Sequence, residues 1–223
     1  MGFLVSISLV NILICTLISY LIGPSVNKIG LKFKILDIPD QRKIHKKPIV
    51  RIGGATIIFT FFIYILFTCK FIPYFEILNL KIIAILFGSL IYFILGLHDD
   101  IYRSSPFLRL AIQFLGALIV SLSGINLSNV YLNLPFIGIV GFTLPIIISH
   151  LITCFWIVGI TNAINWLDGL DALSAGHTLI IVFGILFSAY NLNNIQGVLI
   201  LSVLIGSILG FLIRNFRPAL YIM

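Results

Sequence analysis

Residues 82–100 read IIAILFGSLIYFILGLHDD, an apolar run that closes on two adjacent carboxylates, Asp99 and Asp100. No Asp, Glu, Lys or Arg lies between Lys81 and Asp99. A helix rising 1.5 Å per residue needs about 20 such residues to cross a bilayer, so this run predicts one membrane span. Carboxylates are costly to hold beside hydrocarbon and usually mark a place where something is done. Asp99, Asp100, Asp168 and Asp171 stand in this way at the edge of an apolar stretch, and Asp37 follows the first such stretch after Lys28, Lys32 and Lys34.

Outward from this run the pattern repeats. Residues 1–27, 52–69, 110–167 and 172–213 are also free of Asp, Glu, Lys and Arg. The two longest can each hold two helices. Gly124 to Pro135, with Asn126, Asn129 and Asn133, is a turn signal inside the first, and Asn191, Asn193 and Asn194 divide the second. Hydrophobic residues make up 60% of the chain and charged residues 9%, with a mean hydropathy of +1.18, which excludes a soluble domain. The expected fold is all-α: a polytopic transmembrane bundle of about seven spans near 3–22, 53–70, 81–98, 107–124, 137–160, 172–190 and 195–213. No repeat or linker is visible, so residues 1–223 are read as a single membrane domain.

The basic residues orient it. If the first connection is cytoplasmic, the odd-numbered connections hold Lys28, Lys32, Lys34, Arg42, Lys43, Lys46, Lys47, Arg51, Arg103, Arg109, Arg214 and Arg217, twelve of fourteen. Only Lys70 and Lys81 fall outside. The positive-inside rule then predicts N-out and C-in, with cytoplasmic loops at 23–52, 99–106, 161–171 and 214–223. Every Asp lies on that same face, and only Glu76 lies outside. Basic loops mixed with paired carboxylates suit a phosphorylated substrate and a divalent cation. The N-terminal run has its basic residues after it rather than before it, the reverse of a cleavable signal peptide. Cys15, Cys69 and Cys154 lack disulfide or metal-ligand spacing and read as small apolar residues.

Each motif has a plainer reading. Asp99-Asp100 sits at a helix C-terminus, where the macrodipole disfavours negative charge, so a cap is a poor explanation; a polar stop paired with Arg103 or Arg109 is the alternative. In the stretch Asn162 to Asp171, Asp171 alone could be an N-cap of the sixth span. Capping does not account for Asn162, Asn165, Asp168 and Asp171 at spacings of three around Gly169, a set able to meet a base, a ribose or a metal-bound phosphate. The loop Asp37 to Gly54 could be a topology determinant touching anionic lipid. Its later part is more specific, since Pro48, Arg51 and Gly53-Gly54 fix a turn where a guanidinium could meet a phosphate. His150 and His177 read as interhelical hydrogen-bonding residues.

Together these motifs resemble those of the polyprenyl-phosphate N-acetylhexosamine-1-phosphate transferases, membrane enzymes that include the WecA-type and MraY-type proteins. The resemblance rests on Asp37-x-Pro39, Arg42-Lys43-x-His45 and Arg51-x-Gly53-Gly54, on Gly96 to Asp100, on Asn162 to Asp171, and on Arg214-Asn215-x-Arg217-Pro218-Ala219. It implies transfer of a sugar 1-phosphate from a UDP-N-acetylhexosamine to undecaprenyl phosphate, with release of UMP, at the cytoplasmic side of a bacterial inner membrane. It further implies Mg²⁺, or Mn²⁺ in its place, and catalytic roles for Asp99 on the carrier phosphate and Asp100 beside it. Asp99, Asp100 and Asp168 would be metal ligands. Asn165 and Asp168 would meet the diphosphate, Gly169, Leu170 and Asp171 the uridine, and Arg42, Lys43, His45 and Arg51 the remaining substrate phosphate.

The first loop looks like the WecA-type branch, whose substrate is UDP-N-acetylglucosamine and whose products initiate envelope polysaccharide or O-antigen-type glycans. The alternatives are a phospho-N-acetylmuramoyl-pentapeptide transferase, a transporter with midplane carboxylates, and an inactive remnant. Partners implied are the sugar nucleotide, the lipid carrier and the bilayer, with no nucleic acid, and with monomer and homodimer both open. Val50 and Ala172 depart mildly from the branch pattern. Family members continue past the segment matching Arg217 to Met223 into a Gly-Asp motif and a His-rich loop, so a fragment or truncated product, inactive alone, is expected.

Overall fold

The computed structural model describes residues 2–38, 48–71, 79–102, 104–136, 138–167, 172–216 and 219–222. Among these, seven helices and two short antiparallel ribbons follow one another: α1 Gly2–Lys32, β1 Leu36–Asp37, β2 Ile49–Val50, α2 Ala55–Phe71, α3 Leu80–Tyr102, α4 Pro106–Leu122, β3 Asn129–Leu134, β4 Gly138–Thr143, α5 Ile146–Trp166, α6 Leu173–Asn191 and α7 Ile195–Asn215. The chain is an all-α polytopic membrane protein. Five of the helices, α1, α3, α5, α6 and α7, are long and apolar enough to cross a bilayer; α2 and α4 are shorter. The chain forms two compact units, one from 1–77 with 164–223, the other from 78–163.

In the first unit α7 is the axis. The apolar stretch of α7 is 61% buried, against 22–28% for the other four long helices, because α1, α2 and α6 all pack on it. Without a hydrophobic drive between helices in lipid, close backbone approach and interhelical hydrogen bonds must hold them. Gly206 and Gly210 provide the approach: a Cβ on Gly206 would sit 2.5 Å from the Ile12 carbonyl oxygen, and one on Gly210 2.4 Å from that of Thr16. A row of small polar residues provides the bonds. Tyr64 donates to Asn11 Oδ1 (2.7 Å), Asn11 Nδ2 to Ser202 Oγ (3.1 Å) and Ser19 Oγ to the Ser207 carbonyl (2.8 Å). Each is worth about 0.6 kcal/mol in a membrane interior.

Pro24 lies inside α1 and has no N–H for the carbonyl four residues back, which is that of Tyr20. Arg214 of α7 donates from Nε to that carbonyl (3.3 Å) and lies over the Tyr20 ring at 4.2 Å. The guanidinium thus serves the backbone group that proline leaves unpaired.

In the second unit α3 and α4 pack through Gly88, whose Cβ would meet Val120 at 2.8 Å, and Gly116, which lies under the Tyr92 ring. Tyr92 donates to the Gln113 carbonyl (2.7 Å). Helix α5 joins α4 through a small core of Ala117, Cys154 and Val158, an edge-to-face pair Phe114–Phe155, and the bond between Ser121 Oγ and His150 Nδ1 (2.7 Å). His150 is thus an interhelical partner, as its plainer reading held.

Four helix boundaries differ from those expected from the sequence, each for a physical reason. Helix α1 runs to Lys32, α3 to Tyr102 and α5 to Trp166, past the span ends expected at 22, 98 and 160. A helix can outrun the apolar core because its hydrogen bonds need no lipid, so residues 23–32, 99–102 and 161–166 are helical ends rather than loop. The fifth helix begins at Ile146 rather than 137, because residues 129–143 pair as a hairpin, Val130 with Phe142 and Leu132 with Val140.

Candidate active site

At one end of the first unit, the first loop and the segment after α7 are laced together. Leu36 and Asp37 pair with Val50 and Ile49, closing the base of the loop that carries Arg42, Lys43 and His45. Val50, 1% exposed, pairs on its other side with Tyr221; the Ile222 amide donates to the Val50 carbonyl (2.9 Å) and the Gly53 amide to the Ile222 carbonyl (2.8 Å). Gly53 has to be glycine for this, since a Cβ there would lie 2.4 Å from the Tyr221 ring and 2.5 Å from the Ile222 oxygen. The Arg51 amide donates to Ile35 (3.2 Å), which fixes the backbone from which its guanidinium extends. Asp37 is 8% exposed at the same ribbon.

Asn215, 4% exposed at the last position of α7, ties a third segment in. Its Nδ2 donates to the Tyr221 carbonyl (2.8 Å), and its Oδ1 accepts the Ala172 amide (2.9 Å). Ala172 is the N-cap of α6; it holds a left-handed φ of +61° and gives no side-chain cap, so the Asn215 amide does part of a cap's work from another helix. Tyr221 is fully buried against Phe211, and that burial pushes its phenol above the ordinary tyrosine range, with nearby Arg214 pulling it back.

The aspartate pair belongs to the second unit. Asp99 lies in the last turn of α3, where its Oδ2 accepts Arg109 Nη1 (2.7 Å) and its Oδ1 accepts the Ser104 amide (2.9 Å). His98 Nδ1 meets Ser104 Oγ (2.8 Å), with its ring 5.0 Å from that of Tyr102. Ser105 accepts the Leu108 amide and caps α4 with Pro106 behind it. Two positive groups, a guanidinium and a helix-start amide, therefore offset the unfavourable dipole at the end of α3. The Asp99 side chain remains 26% exposed, open enough to meet a substrate.

Asn162 lies on α5, and its Nδ2 donates both to Gln113 Oε1 and to the Val158 carbonyl (2.8 Å each). Asn165 is on the same helix and exposed. Arg42, Lys43, His45, Asp168, Gly169, Leu170 and Asp171 lie outside the described residues, as does Arg217. The sequence reading missed Ser104, Gln113 and the anchoring role of Asn215. Ser104-Ser105-Pro106 was a readable helix-start signal; a buried Gln and a cross-helix Asn leave no local signature.

Among the described residues no three of His, Cys, Asp or Glu come close enough to hold a metal ion by themselves, and the Asp99 oxygens accept from Arg109 and Ser104. Asp168, the third expected ligand, is outside that set.

Comparison with known proteins agrees with the motifs. Residues 82–223, more than half of the chain, match the family described as Glycosyl transferase family 4. The chain is 33% identical over 213 residues to the probable undecaprenyl-phosphate N-acetylglucosaminyl 1-phosphate transferase of Bacillus subtilis (strain 168), covering 96% of this chain and 55% of that protein. It is 29% identical over 231 residues to the phospho-N-acetylmuramoyl-pentapeptide-transferase of Streptococcus pyogenes serotype M12 (strain MGAS2096), covering 93% and 66%. With the enzyme of the same name from Streptococcus suis (strain 05ZYH33) it shares 30% over 168 residues, covering 70% and 48%. The chain thus spans about half to two thirds of these relatives. With four motifs in order and a match over most of its length, the chain belongs to the glycosyl transferase family 4, the family of the WecA-type and MraY-type enzymes.

Proposed function

We propose that the protein acts in the transfer of N-acetylhexosamine 1-phosphate from a UDP-sugar to undecaprenyl phosphate, with N-acetylglucosamine as the sugar. In this reaction an oxygen of the carrier phosphate attacks the sugar-bearing β-phosphorus, the bond from that phosphorus to the bridging oxygen breaks, and UMP leaves with the electron pair. The observation that carries the reading is the ordered set of four motifs in this chain, supported by its similarity to relatives named as an undecaprenyl-phosphate N-acetylglucosaminyl 1-phosphate transferase and as phospho-N-acetylmuramoyl-pentapeptide-transferases. For the sugar, the first loop supports N-acetylglucosamine: Arg42-Lys43-x-His45 and Arg51-x-Gly53-Gly54 are the features of the WecA-type branch.

The roles follow from the chemistry of the side chains. Asp99, held by Arg109 and the Ser104 amide, is a carboxylate fixed in direction and able to position or deprotonate the carrier phosphate. Asp100 stands beside it. Asn165, Asp168, Gly169, Leu170 and Asp171 take the sugar nucleotide, and Arg42, Lys43, His45 and Arg51 its phosphates. A divalent cation, Mg²⁺, would neutralise diphosphate charge when bound. The activity would sit on the cytoplasmic side of a bacterial inner membrane and serve envelope polysaccharide synthesis.

The reading is tested in membranes carrying residues 1–223 continued by the C-terminal part of the Bacillus subtilis relative. Asp99→Asn should lower transfer at least about 100-fold at unchanged expression, because an amide cannot take a proton from the carrier. Arg109→Ala should cost less, since it loosens Asp99 without removing it. Wild-type turnover in Asp99→Asn would reject the assignment.

A further inference from the structure

The ribbon β3–β4 is amphipathic in a way that the proposed chemistry does not use. Residues directly opposite in an antiparallel pair share a face, so Val130 and Leu132 lie with Phe142 and Val140, an apolar face. The other face carries Asn129, Tyr131 and Asn133 with Thr143, Gly141 and Ile139, and the Tyr131 ring covers Gly141. On the apolar face Leu132, Val140 and Phe142 are 46%, 40% and 46% exposed. At the tip Phe136 is wholly exposed and holds φ +70°, a left-handed conformation more usual for glycine or asparagine. The ribbon carries no charge, since Asp, Glu, Lys and Arg are absent from 110–167.

An isolated two-stranded ribbon with an apolar face is marginal in water. Nor can it sink into hydrocarbon. Among the described residues β3 and β4 pair only with each other, so their outer edges keep unpaired backbone groups that need water. The headgroup boundary satisfies both demands, and the ribbon is built into the chain at that level. It leaves α4 at Leu122 and enters α5 at Ile146, at the end of α4 opposite Asp99. Its base is pinned by the Leu144 amide on the Ser128 carbonyl (2.8 Å) and the Leu127 amide on Thr153 Oγ1 (2.9 Å). We propose that β3–β4 is a bilayer-docking element, with the Val130, Leu132, Val140 and Phe142 face and the Phe136 tip on the lipid headgroup boundary and the Asn129, Asn133 and Thr143 face in water. A second copy of the chain is the weaker occupant, because a stable protein interface takes about 20–30 residues a side and this face offers only a few.

Single cysteines at Leu132, Val140, Asn129 and Asn133, in the chain with Cys15, Cys69 and Cys154 replaced by alanine, carry a nitroxide label in phosphatidylcholine–phosphatidylglycerol vesicles. The ratio of oxygen to water-soluble nickel-chelate collision should be severalfold higher at 132 and 140 than at 129 and 133. Phe136→Cys, where no packing is lost, should give the lipid-like ratio as well. Equal nickel access on both faces with a water-like value at 136 would overturn the proposal. Dipolar broadening confined to labels at 132 and 140, abolished on dilution with unlabelled protein, would overturn it in favour of a dimer contact.

Discussion

One amide, that of Asn215, holds two chain segments to the end of α7. It is buried and uses both ends, giving Nδ2 to Tyr221 and Oδ1 to Ala172, the residue that follows the expected uridine-binding stretch Gly169 to Asp171. Each buried partner left unpaired costs about 1–3 kcal/mol. Asn215→Ala should therefore destabilise the first unit by roughly 2–4 kcal/mol, seen as a lowered Tm in detergent. Asn215→Asp, which keeps the acceptor and loses the donor, should fall between, and a wild-type Tm in Asn215→Ala would refute the anchoring role. The carboxylates could be picked from sequence because Asp is scarce in an apolar chain. Asn215 could be seen as part of a motif, but not what it does, because its partners lie 43 residues before it and six after. In the same way Asp99 was legible, whereas its pairing with Ser104 depends on how the short turn after α3 folds back.

Helix packing rests on glycine where side chains would normally decide it. Gly206 and Gly210 let α1 and α7 touch backbone to backbone, and the row Ser19, Ser207, Asn11 and Ser202 bonds across the same seam. Gly210→Leu should force the helices apart at a cost of about 1–3 kcal/mol or more, as overpacking does. Gly184→Leu on α6, where an added Cβ meets nothing within 4 Å, should cost little. Comparing unfolding of the two variants in mixed micelles checks this, and equal losses would show that α1 and α7 do not depend on close approach. Seven helices and their order follow from charge-free run lengths, which is why the segment types were readable. Helix ends were not, because a helix continues beyond the hydrocarbon at no cost in hydrogen bonds. The β3–β4 ribbon was hidden for another reason: with nearly every residue apolar, the alternation of a strand has little contrast, and the Asn, Gly and Pro of 124–138 signalled only a break between spans.

For the molecule as a whole, twelve of fourteen basic residues fall on, or in the helix ends beside, the connections expected on one side. The proposed topology is N-out and C-in, so in sealed cells Lys34→Cys should resist a membrane-impermeant maleimide and Asn193→Cys should react, and the reverse pattern would invert the assignment. In the proposed reaction a lipid-phosphate acceptor and a soluble nucleotide sugar meet at a membrane face, and this chain is proposed to supply the carboxylate that acts there. Radiolabelled transfer from UDP-N-acetylglucosamine into undecaprenyl phosphate measures that role. Purified residues 1–223, continued by the C-terminal part of the Bacillus subtilis relative, would be assayed beside the Asp99→Asn variant, each with Mg²⁺ and with EDTA. Labelled lipid and UMP are expected in equal amounts from the unsubstituted protein with Mg²⁺, and at least about 100-fold less from Asp99→Asn or with EDTA. Undiminished, EDTA-resistant transfer by Asp99→Asn would contradict that role.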